Sequence, residues 1–307
     1  MVPLTQAQSG HLAMLTFSAL VAGSFSLGAQ IANEIDPAAL NAVRFAIATV
    51  LIGALVWHTG GLTRAAARAP WRYVVLGGLM AVYFVLMFEG LKTARPVSAA
   101  AVFTMTPVMS GFVGWLLLRQ VTTPRMALAL AIGGAGALWV IFRADLSALL
   151  AFDIGGGEII YFWGCIAHAI YTPMIRKLNR GEPAMVFTFG MLVAATLLLF
   201  LTAWSDIVAM DWRALRPFAL WTILYLAVFS TGTSFVLTQY AALRLPATKV
   251  MAYTYLTPSW VLLWELAQGR GAPPLLVLGG VALTVVALIL LLKDEDTTQA
   301  LQRQTPE

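Results

Sequence analysis

The sequence predicts an all-α integral membrane protein with ten transmembrane helices, arranged as two inverted repeats of five helices each. Of the 307 residues, 60% are hydrophobic and 11% are charged, and the mean hydropathy is +0.83, whereas soluble domains carry about 25% charged residues. The apolar residues form ten runs, each long enough to cross a hydrocarbon layer of roughly 30 Å. Short motifs of the first five runs recur in the last five.

The predicted elements follow from these runs in chain order. A tail at 1–11 precedes a first repeat at 12–142, a linker at 143–158 leads to a second repeat at 159–292, and a tail at 293–307 follows. Because five is odd, the second repeat enters the membrane from the opposite side. Gly, Pro or charged residues lie between the predicted spans, which are 12–31, 38–57, 73–91, 97–118, 126–142, 159–175, 184–204, 218–243, 250–267 and 275–292.

Basic residues indicate the orientation of these spans. With a cytoplasmic N-terminus, twelve of the 19 Lys and Arg residues lie on the inner side, including Arg64, Lys293 and Arg303, and seven lie on the outer side, including Arg143. Cytoplasmic segments carry the excess of Lys and Arg. We therefore expect a multi-pass protein of the plasma (inner) membrane with both termini in the cytoplasm. The net charge of +5 reflects this topology, and no nucleic-acid partner is expected.

The internal repeat is visible in matched strings. Phe-Val-Leu at 84–86 recurs at 235–237, and Thr-Pro at 106–107 recurs at 257–258, in both cases 151 residues later. Asp36-Pro-Ala also matches Glu182-Pro-Ala after 146 residues. The matches occur in the same order in each half, which favours two repeats related by inverted topology.

Ten spans in two repeats, the stretch from Asp36 to Phe45 and the paired Thr-Pro motifs resemble the EamA-type drug/metabolite transporters. The resemblance covers residues 12–292, and within that superfamily the chain most resembles the YddG-type exporters of aromatic amino acids. The resemblance implies a carrier with the inverted-repeat fold, and it implies export as the direction of transport.

Polar and aromatic side chains inside the spans predict a cavity, because unpartnered polar groups are costly in hydrocarbon. They concentrate on the first, sixth, eighth and ninth spans. Helical spacing places Tyr253, Thr257 and Trp260 on one face of the ninth span. For Tyr253 and Trp163, an interfacial or packing role is an equal alternative. The predicted substrate-binding residues are Ser24, Tyr83, Phe103, Trp163, His168, Tyr171, Thr233, Tyr253, Thr254, Thr257 and Trp260.

Two prolines lie inside predicted spans at matching repeat positions, Pro107 and Pro258. Each removes an intrahelical hydrogen bond and frees the carbonyl four residues earlier, at Phe103 and Thr254. We predict that the prolines act as hinges and that the freed carbonyls accept a substrate ammonium group. A static kink is the alternative.

Three strongly charged residues fall inside the predicted spans: Arg44, Glu89 and Glu265. All three lie toward the outer ends, where they form a predicted outer gate or, alternatively, reach the interface with their long side chains. His168 lies near mid-membrane. It either titrates in a proton-coupled cycle or acts as a neutral hydrogen-bond donor.

The predicted function is secondary transport by alternating access, with export of small amphipathic metabolites, chiefly amino acids including aromatic ones. Aromatic faces with a few hydroxyls suit a bulky, partly apolar solute. No Lys or Arg is expected at mid-span, which disfavours carriers of phosphorylated sugars. The alternatives are a passive channel and a multidrug or other metabolite carrier of the same superfamily.

The sequence does not predict an enzyme. It contains neither an HExxH nor a GxSxG motif, and its one cysteine, Cys165, excludes an internal disulfide or CxxC pair. No catalytic residue, cofactor or metal is predicted. The expected partners are a small-molecule substrate and the lipid bilayer; the oligomeric state is open, with a monomer among the options.

Overall fold

The protein is described here by a computed structural model that covers residues 5–59, 61, 66–119, 123–142, 144–151, 154–270 and 274–304, with 292–304 described by their backbone alone. This part of the chain is helical throughout, with short connecting turns and no strand. Arg64 and Arg143, and the side chains of Lys293 and Arg303, which contribute to the predicted orientation, lie outside the described residues.

The first half of the chain contains seven of the described helices. They are α1 (Gln6–Ala29), α2 (Pro37–His58), α3 (Trp71–Leu91), α4 (Pro96–Phe103), α5 (Thr106–Leu118), α6 (Pro124–Ile141) and α7 (Leu146–Ala151).

The second half begins at α8 and contains two irregular helical segments. Its elements are α8 (Gly156–Leu178), α9 (Ala184–Thr202), α10 (Trp204–Ala209), α11 (Pro217–Ala227), the π-helical segment Val228–Thr233, α12 (Ser234–Ala242), α13 (Ala247–Ala252), the 3₁₀ turn Tyr253–Leu256, α14 (Thr257–Ala267) and α15 (Leu275–Gln304).

Local signals set where several helices begin. Thr5 and Gln8 form a capping box at the start of α1, and Asp36 accepts hydrogen bonds from the first backbone N–H groups of α2. Prolines occupy the first position of α2, α4, α6 and α11. A proline is pre-organised for this position because its backbone N–H group would be unpaired there in any case.

Seven helices of the described chain are long and apolar enough to cross a membrane. They are α1, α2, α3, α4 with α5 as one unit, α6, α9, and the unit from α11 to α12. The predicted sixth, ninth and tenth spans fall on α8, on α13 to α14, and on the apolar part of α15. The first of these carries His168 and several hydroxyls, the second is interrupted by a 3₁₀ turn, and the third is short, at Leu275–Leu291.

The bundle is organised around α3, which packs along α8 and α9, while α1 packs against α12 and α14 and α6 packs along α15. Small residues allow the closest approaches. A Cβ atom on Gly77 would lie 2.7 Å from the backbone nitrogen of Ala195 in α9, and one on Gly136 would lie 2.6 Å from the carbonyl oxygen of Gly280 in α15. Elements of the two halves are thus interleaved, and residues far apart in sequence meet at the centre.

Candidate functional site

A cluster of aromatic side chains lies at the centre of the bundle. The hydroxyls of Tyr83 and Tyr161 are 3.0 Å apart and hydrogen-bonded. The ring of Tyr83 lies 4.5 Å from that of His168 and 5.8 Å from that of Phe103. Phe25 of α1 contacts both Phe103 and Tyr161. All five side chains are buried, so the cluster joins α1, α3, α4 and α8.

Beside this cluster is a closed cavity of about 10 Å³, which is close to the minimum that holds one water molecule. Both halves of the chain contribute to its wall, through α1, α3, α8 and α12. The lining residues are Phe17, Val21, Met80, Tyr83, Phe84, His168, Tyr171, Ser234, Phe235 and Thr238. The wall therefore combines aromatic rings with a few hydroxyls and one imidazole.

Two polar atoms near the cavity have no hydrogen-bond partner among the described residues: Nδ1 of His168 and Oε1 of Gln239. The amide nitrogen of Gln239 donates a long hydrogen bond of 3.5 Å to the hydroxyl of Tyr171. Buried polar groups are normally paired. These atoms are thus available to a bound molecule that carries a donor or an acceptor.

The predicted site residues on α1 and the π-helical segment lie beside this centre. The hydroxyl of Ser24 donates to that of Ser230 at 2.5 Å. Thr233 donates to the carbonyl of Val228, within its own segment. Both hydroxyls have partners inside the protein in this conformation.

The predicted residues of the ninth span contact α1 and α5, and they are not among those that line the central cavity. The hydroxyl of Tyr253 lies 3.1 Å from Nδ1 of His11, and the indole N–H of Trp260 donates to Ser18 at 3.1 Å. Thr254 lies 3.3 Å from Thr106 through their hydroxyls. The buried hydroxyl of the remaining predicted residue, Thr257, has no partner among the described residues.

Trp163 is not part of the cluster. Its side chain is 61% exposed, and it borders an outward-facing apolar groove with Phe162, Ile159 and Met105. The reason is helical geometry: Trp163 lies two positions from both Tyr161 and Cys165, and two positions correspond to about 200° of rotation. Since Tyr161 and Cys165 point inward, Trp163 points outward.

Pro107 and Pro258 lie next to breaks in their spans, and the carbonyls of Phe103 and Thr254 already accept hydrogen bonds. Pro107 is the second residue of α5, after the break that follows α4, and Pro258 is the second residue of α14, after the 3₁₀ turn. The carbonyl of Phe103 accepts the hydroxyl of Thr106 at 2.7 Å, and that of Thr254 accepts the backbone N–H of Thr257. In this conformation neither carbonyl is free for a substrate ammonium group.

Two of the predicted gate residues, Arg44 and Glu89, are not paired with each other. Glu89 binds Lys92 at 2.7 Å on a partly exposed surface. Arg44, expected near the outer interface, is completely buried because the π-helical segment packs over it, and its Nε donates to Thr231 at 2.9 Å. The third predicted gate residue, Glu265, accepts a hydrogen bond from Ser26 of α1 and lies 3.6 Å from Arg270.

Several central residues lie outside the sequence-based list, among them Phe84, Tyr161, Phe235 and Gln239. The repeat held a signal for two of them, since Phe84 and Phe235 are equivalent residues of the repeated string. Their rings meet across the centre at 5.8 Å. Tyr161 shares the helical face of His168, because a separation of seven residues is close to two full turns. Gln239 had only its polarity inside an apolar span.

The chain matches the model of the EamA-like transporter family twice, over residues 8–142 and 155–293. Each match covers one of the two halves that meet at the central cavity. This agrees with the division of the sequence into two repeats.

Two curated relatives resemble the chain along most of its length. The uncharacterized transporter YyaM of Bacillus subtilis (strain 168) is 24% identical over 276 residues, which are 88% of this chain and 90% of YyaM. An uncharacterized transporter of Archaeoglobus fulgidus is 22% identical over 287 residues, or 91% of this chain and 96% of the relative. A protein of known crystal structure has the same fold, with a TM-score of 0.71, 21% identity, and coverage of 97% of this chain and 99% of its own.

Proposed function

The chain belongs to the EamA-like transporter family, and on this premise we propose that it is a secondary transporter that exports small amphipathic metabolites, chiefly amino acids including aromatic ones. Its mechanism is alternating access between two inverted repeats of five transmembrane helices. Within the family we place it with the YddG-type exporters of aromatic amino acids. Membership of a transporter family points to transport and not to catalysis.

One observation carries this proposal: the closed aromatic cavity to which both halves contribute. The rings of Tyr83 and Tyr171 in the cavity wall, and that of Phe103 packed beside Tyr83, offer faces for an aromatic or aliphatic side chain and attract an ammonium group through their negative π faces. Nδ1 of His168 and Oε1 of Gln239 lack partners among the described residues, so they can bind the polar end of a substrate. We assign substrate contact to these groups.

The small volume of the cavity favours a carrier over a channel. A space of about 10 Å³ does not hold an amino acid, so the helices around it must separate before a substrate enters. A site that opens to one side and then closes is what alternating access requires. We assign the hinge role to Pro107 and Pro258, at the two breaks.

The contacts of α1 suggest how the two sides open in turn. In the inner half of α1, His11 and Ser18 bind Tyr253 and Trp260. In the outer half, Ser26 binds Glu265. Release of the inner contacts opens a path from the cytoplasm, and release of the Ser26–Glu265 contact opens a path to the outside.

We further propose ten membrane crossings in the plasma membrane with both termini in the cytoplasm. The seven apolar helices are complemented by α8, by α13 with α14, and by α15. These helices carry polar groups or breaks because they face the interior of the bundle or pack against other helices. The distribution of Lys and Arg supports this orientation.

Counterflow in proteoliposomes tests the proposal. Vesicles containing purified protein are loaded with unlabelled phenylalanine, and the uptake of external labelled phenylalanine is followed over time. We expect a transient overshoot that saturates with external concentration, because a carrier exchanges substrates across the membrane. Protein-free vesicles serve as the control.

The result also separates the alternatives. A linear flux without stimulation by internal substrate would identify a passive channel and contradict the proposal. Counterflow with cationic drugs but with none of the 20 amino acids would support a multidrug carrier instead. Repeating the assay with and without a pH gradient shows whether transport is proton-coupled.

A further inference from the structure

Among the residues whose side chains are described, Arg44 is the most deeply buried basic residue. Its side chain is fully inaccessible to solvent, and it lies on α2 where this helix packs against the π-helical segment Val228–Thr233. A charged side chain inside a membrane protein is costly unless it is paired, and such residues commonly belong to functional sites.

Hydrogen bonds compensate the buried charge of Arg44 only in part. Nε donates to Thr231 at 2.9 Å, which is a good hydrogen bond. The terminal nitrogens reach the side chain of Asn41 at 3.4 Å and the carbonyls of Leu226 and Ser230 at 3.5 Å. These distances lie beyond the usual range of 2.7–3.2 Å for N–H···O bonds. The fork formed by the two terminal nitrogens is thus only weakly bound.

The charge of Arg44 is not compensated by an ion pair. Among the described residues, no carboxylate lies within ion-pair distance of Arg44, whereas Arg72 has Glu182 at 2.7 Å and Arg216 binds Glu34. The nearest substitute is the ring of Phe84, whose centre lies 4.2 Å from the guanidinium carbon. A cation–π contact attracts the charge, but it adds no acceptor for the terminal nitrogens, whose hydrogen bonds are long.

Two features link this guanidinium to the central cavity. Phe84, which stacks on Arg44, is one of the lining residues. Ser234, another lining residue, donates to the carbonyl of Ser230 at 2.8 Å, and the same carbonyl faces Arg44. The π-helical segment displaces this stretch of backbone from the regular pattern, and such segments are frequent at functional sites.

We propose that Arg44 binds the carboxylate of the transported substrate, through its two terminal nitrogens, once the helices around the cavity separate. This inference rests on the proposed function and specifies the substrate class as carboxylates, of which α-amino acids carry the ammonium group as well. An arginine fork matches the two oxygens of a carboxylate in a bidentate arrangement. The position 146 residues later in the second half is Gly190, so the second half has no arginine equivalent to Arg44.

The first test uses the wild-type protein and three related ligands. Phenylalanine carries both charged groups, 3-phenylpropionate carries the carboxylate alone, and phenethylamine carries the ammonium alone. Affinities are measured at pH 7 by isothermal titration of the purified protein. We expect both acids to bind at least about tenfold more tightly than the amine. Equal or weaker binding of the acids would overturn the assignment, whatever the variants show.

The second test compares Arg44→Gln and Arg44→Lys with Arg72→Lys as a matched control, since Arg72 is a buried arginine that already has a carboxylate partner. We expect Arg44→Gln to lose the preference for acids, with the affinity for phenethylamine changed by less than about threefold. Arg44→Lys should retain part of the preference, because it keeps the charge without the planar fork. The control should keep the wild-type ratio. An unchanged ratio in folded Arg44→Gln would contradict the proposal.

The proposed transport and the proposed role of Arg44 can be contradicted separately. If the wild type prefers acids but shows no counterflow, the proposed transport is wrong and the carboxylate site stands. If counterflow occurs with equal affinities for acid and amine, transport stands and the role of Arg44 is wrong. If the Arg44 variants do not fold, as judged by size-exclusion chromatography, the ratio of wild-type affinities for acid and amine alone tests the carboxylate site.

Discussion

At the scale of single residues, the orientation of two aromatic side chains separates a role in the site from a role at the membrane. Tyr83 of α3 is 1% exposed and contacts His168 of α8, whereas Trp163 is 61% exposed and lies on the face of α8 that points away from His168. We predict that Tyr83→Ala lowers the initial rate of phenylalanine counterflow by about tenfold or more per folded protein, because a cavity wall is removed. Rates in proteoliposomes, normalised to reconstituted protein, provide the measurement.

Trp163→Ala is the matched control for this substitution. It removes a larger aromatic side chain from a helix that borders the same cavity, but the indole faces away from it. Its rate should stay within about twofold of the wild type, since a single outward-facing residue makes little contribution. Equal losses in both variants would mean that aromatic size, and not position in the cavity, determines the effect.

A second prediction at this scale concerns the ion pair between Arg72 and Glu182. Burial raises the pKa of the Glu182 carboxyl, but hydrogen bonds from the Arg72 guanidinium and from the backbone N–H of Arg180 outweigh it and hold the pKa below its ordinary value of 4.5. Because the pKa is lower in the folded state, the carboxylate stabilises the fold above the ordinary pKa. This stabilisation is lost as the pH falls through the lowered pKa.

We therefore predict that Glu182→Gln lowers the free energy of unfolding by about 2 kcal/mol at neutral pH. It should also remove the part of the acid-induced loss of stability that belongs to this carboxyl. Thermal unfolding in detergent between pH 7 and pH 3.5 measures both effects. Glu34→Gln is the control, because its partner Arg216 is exposed and exposed ion pairs contribute about 1 kcal/mol or less. Parallel pH profiles for wild type and Glu182→Gln would contradict the prediction.

Individual site residues were predictable where spacing or repetition carried information. The separation of Tyr161 from His168 placed both on one helical face, and the repeated Phe-Val-Leu string contained the pair Phe84 and Phe235. The burial of Arg44 was not predictable, because it depends on how the π-helical segment packs against α2. Local sequence does not encode that contact between residues nearly 190 positions apart.

At the scale of elements, the two spans that are broken next to a proline differ from α8, which continues as a regular helix through its proline. Pro258 follows a 3₁₀ turn at the start of α14, while Pro173 lies inside the continuous helix α8. We predict that Pro258→Ala lowers the maximal exchange rate by about tenfold with KM changed by less than about twofold, because a stiffer junction slows opening and closing. Alanine supplies the backbone N–H that proline lacks, which allows the break to close into regular helix.

Pro173→Ala is the control for this substitution, since α8 is already regular around it. Its exchange rate should remain close to that of the wild type. Exchange kinetics in proteoliposomes at saturating internal substrate measure both variants. A slow Pro173→Ala variant together with a normal Pro258→Ala variant would show that the symmetric breaks are static kinks.

Most element boundaries were predictable because prolines and caps mark them locally. The predicted spans at 38, 97 and 218 begin one residue after Pro37, Pro96 and Pro217. The short helices α7 and α10 and the π-helical segment were not predicted. The first two are only six residues long, which is too short for a helical period to be recognised, and a π-helical segment depends on tertiary packing around one inserted residue.

At the scale of the whole molecule, exposed tryptophans mark two levels that agree with the proposed topology. Trp57, Trp71 and Trp115 are exposed near the ends of α2, α3 and α5 that the topology places inside. Trp204 and Trp221 are exposed near the ends of α9 and α11 that it places outside. Tryptophan is enriched at both membrane interfaces. Trp163, which the proposed topology places near the outer end of α8, is exposed as well and fits the same distribution.

Cysteine labelling tests this topology, and the chain suits the method because its one cysteine, Cys165, is buried. Gln8, Arg180 and Asp211 are exposed positions on α1, on the loop between α8 and α9, and between α10 and α11. With ten crossings and a cytoplasmic N-terminus, a membrane-impermeant maleimide should label Asp211→Cys in intact cells. It should label Gln8→Cys and Arg180→Cys only after the membrane is permeabilised, because Gln8 is cytoplasmic and six crossings place Arg180 on the same side.

Labelling of Asp211→Cys and Arg180→Cys from the same side would mean that α9 does not cross. Labelling of Gln8→Cys and Arg180→Cys from opposite sides would require an odd number of crossings between them, and the second half would then not be inverted relative to the first.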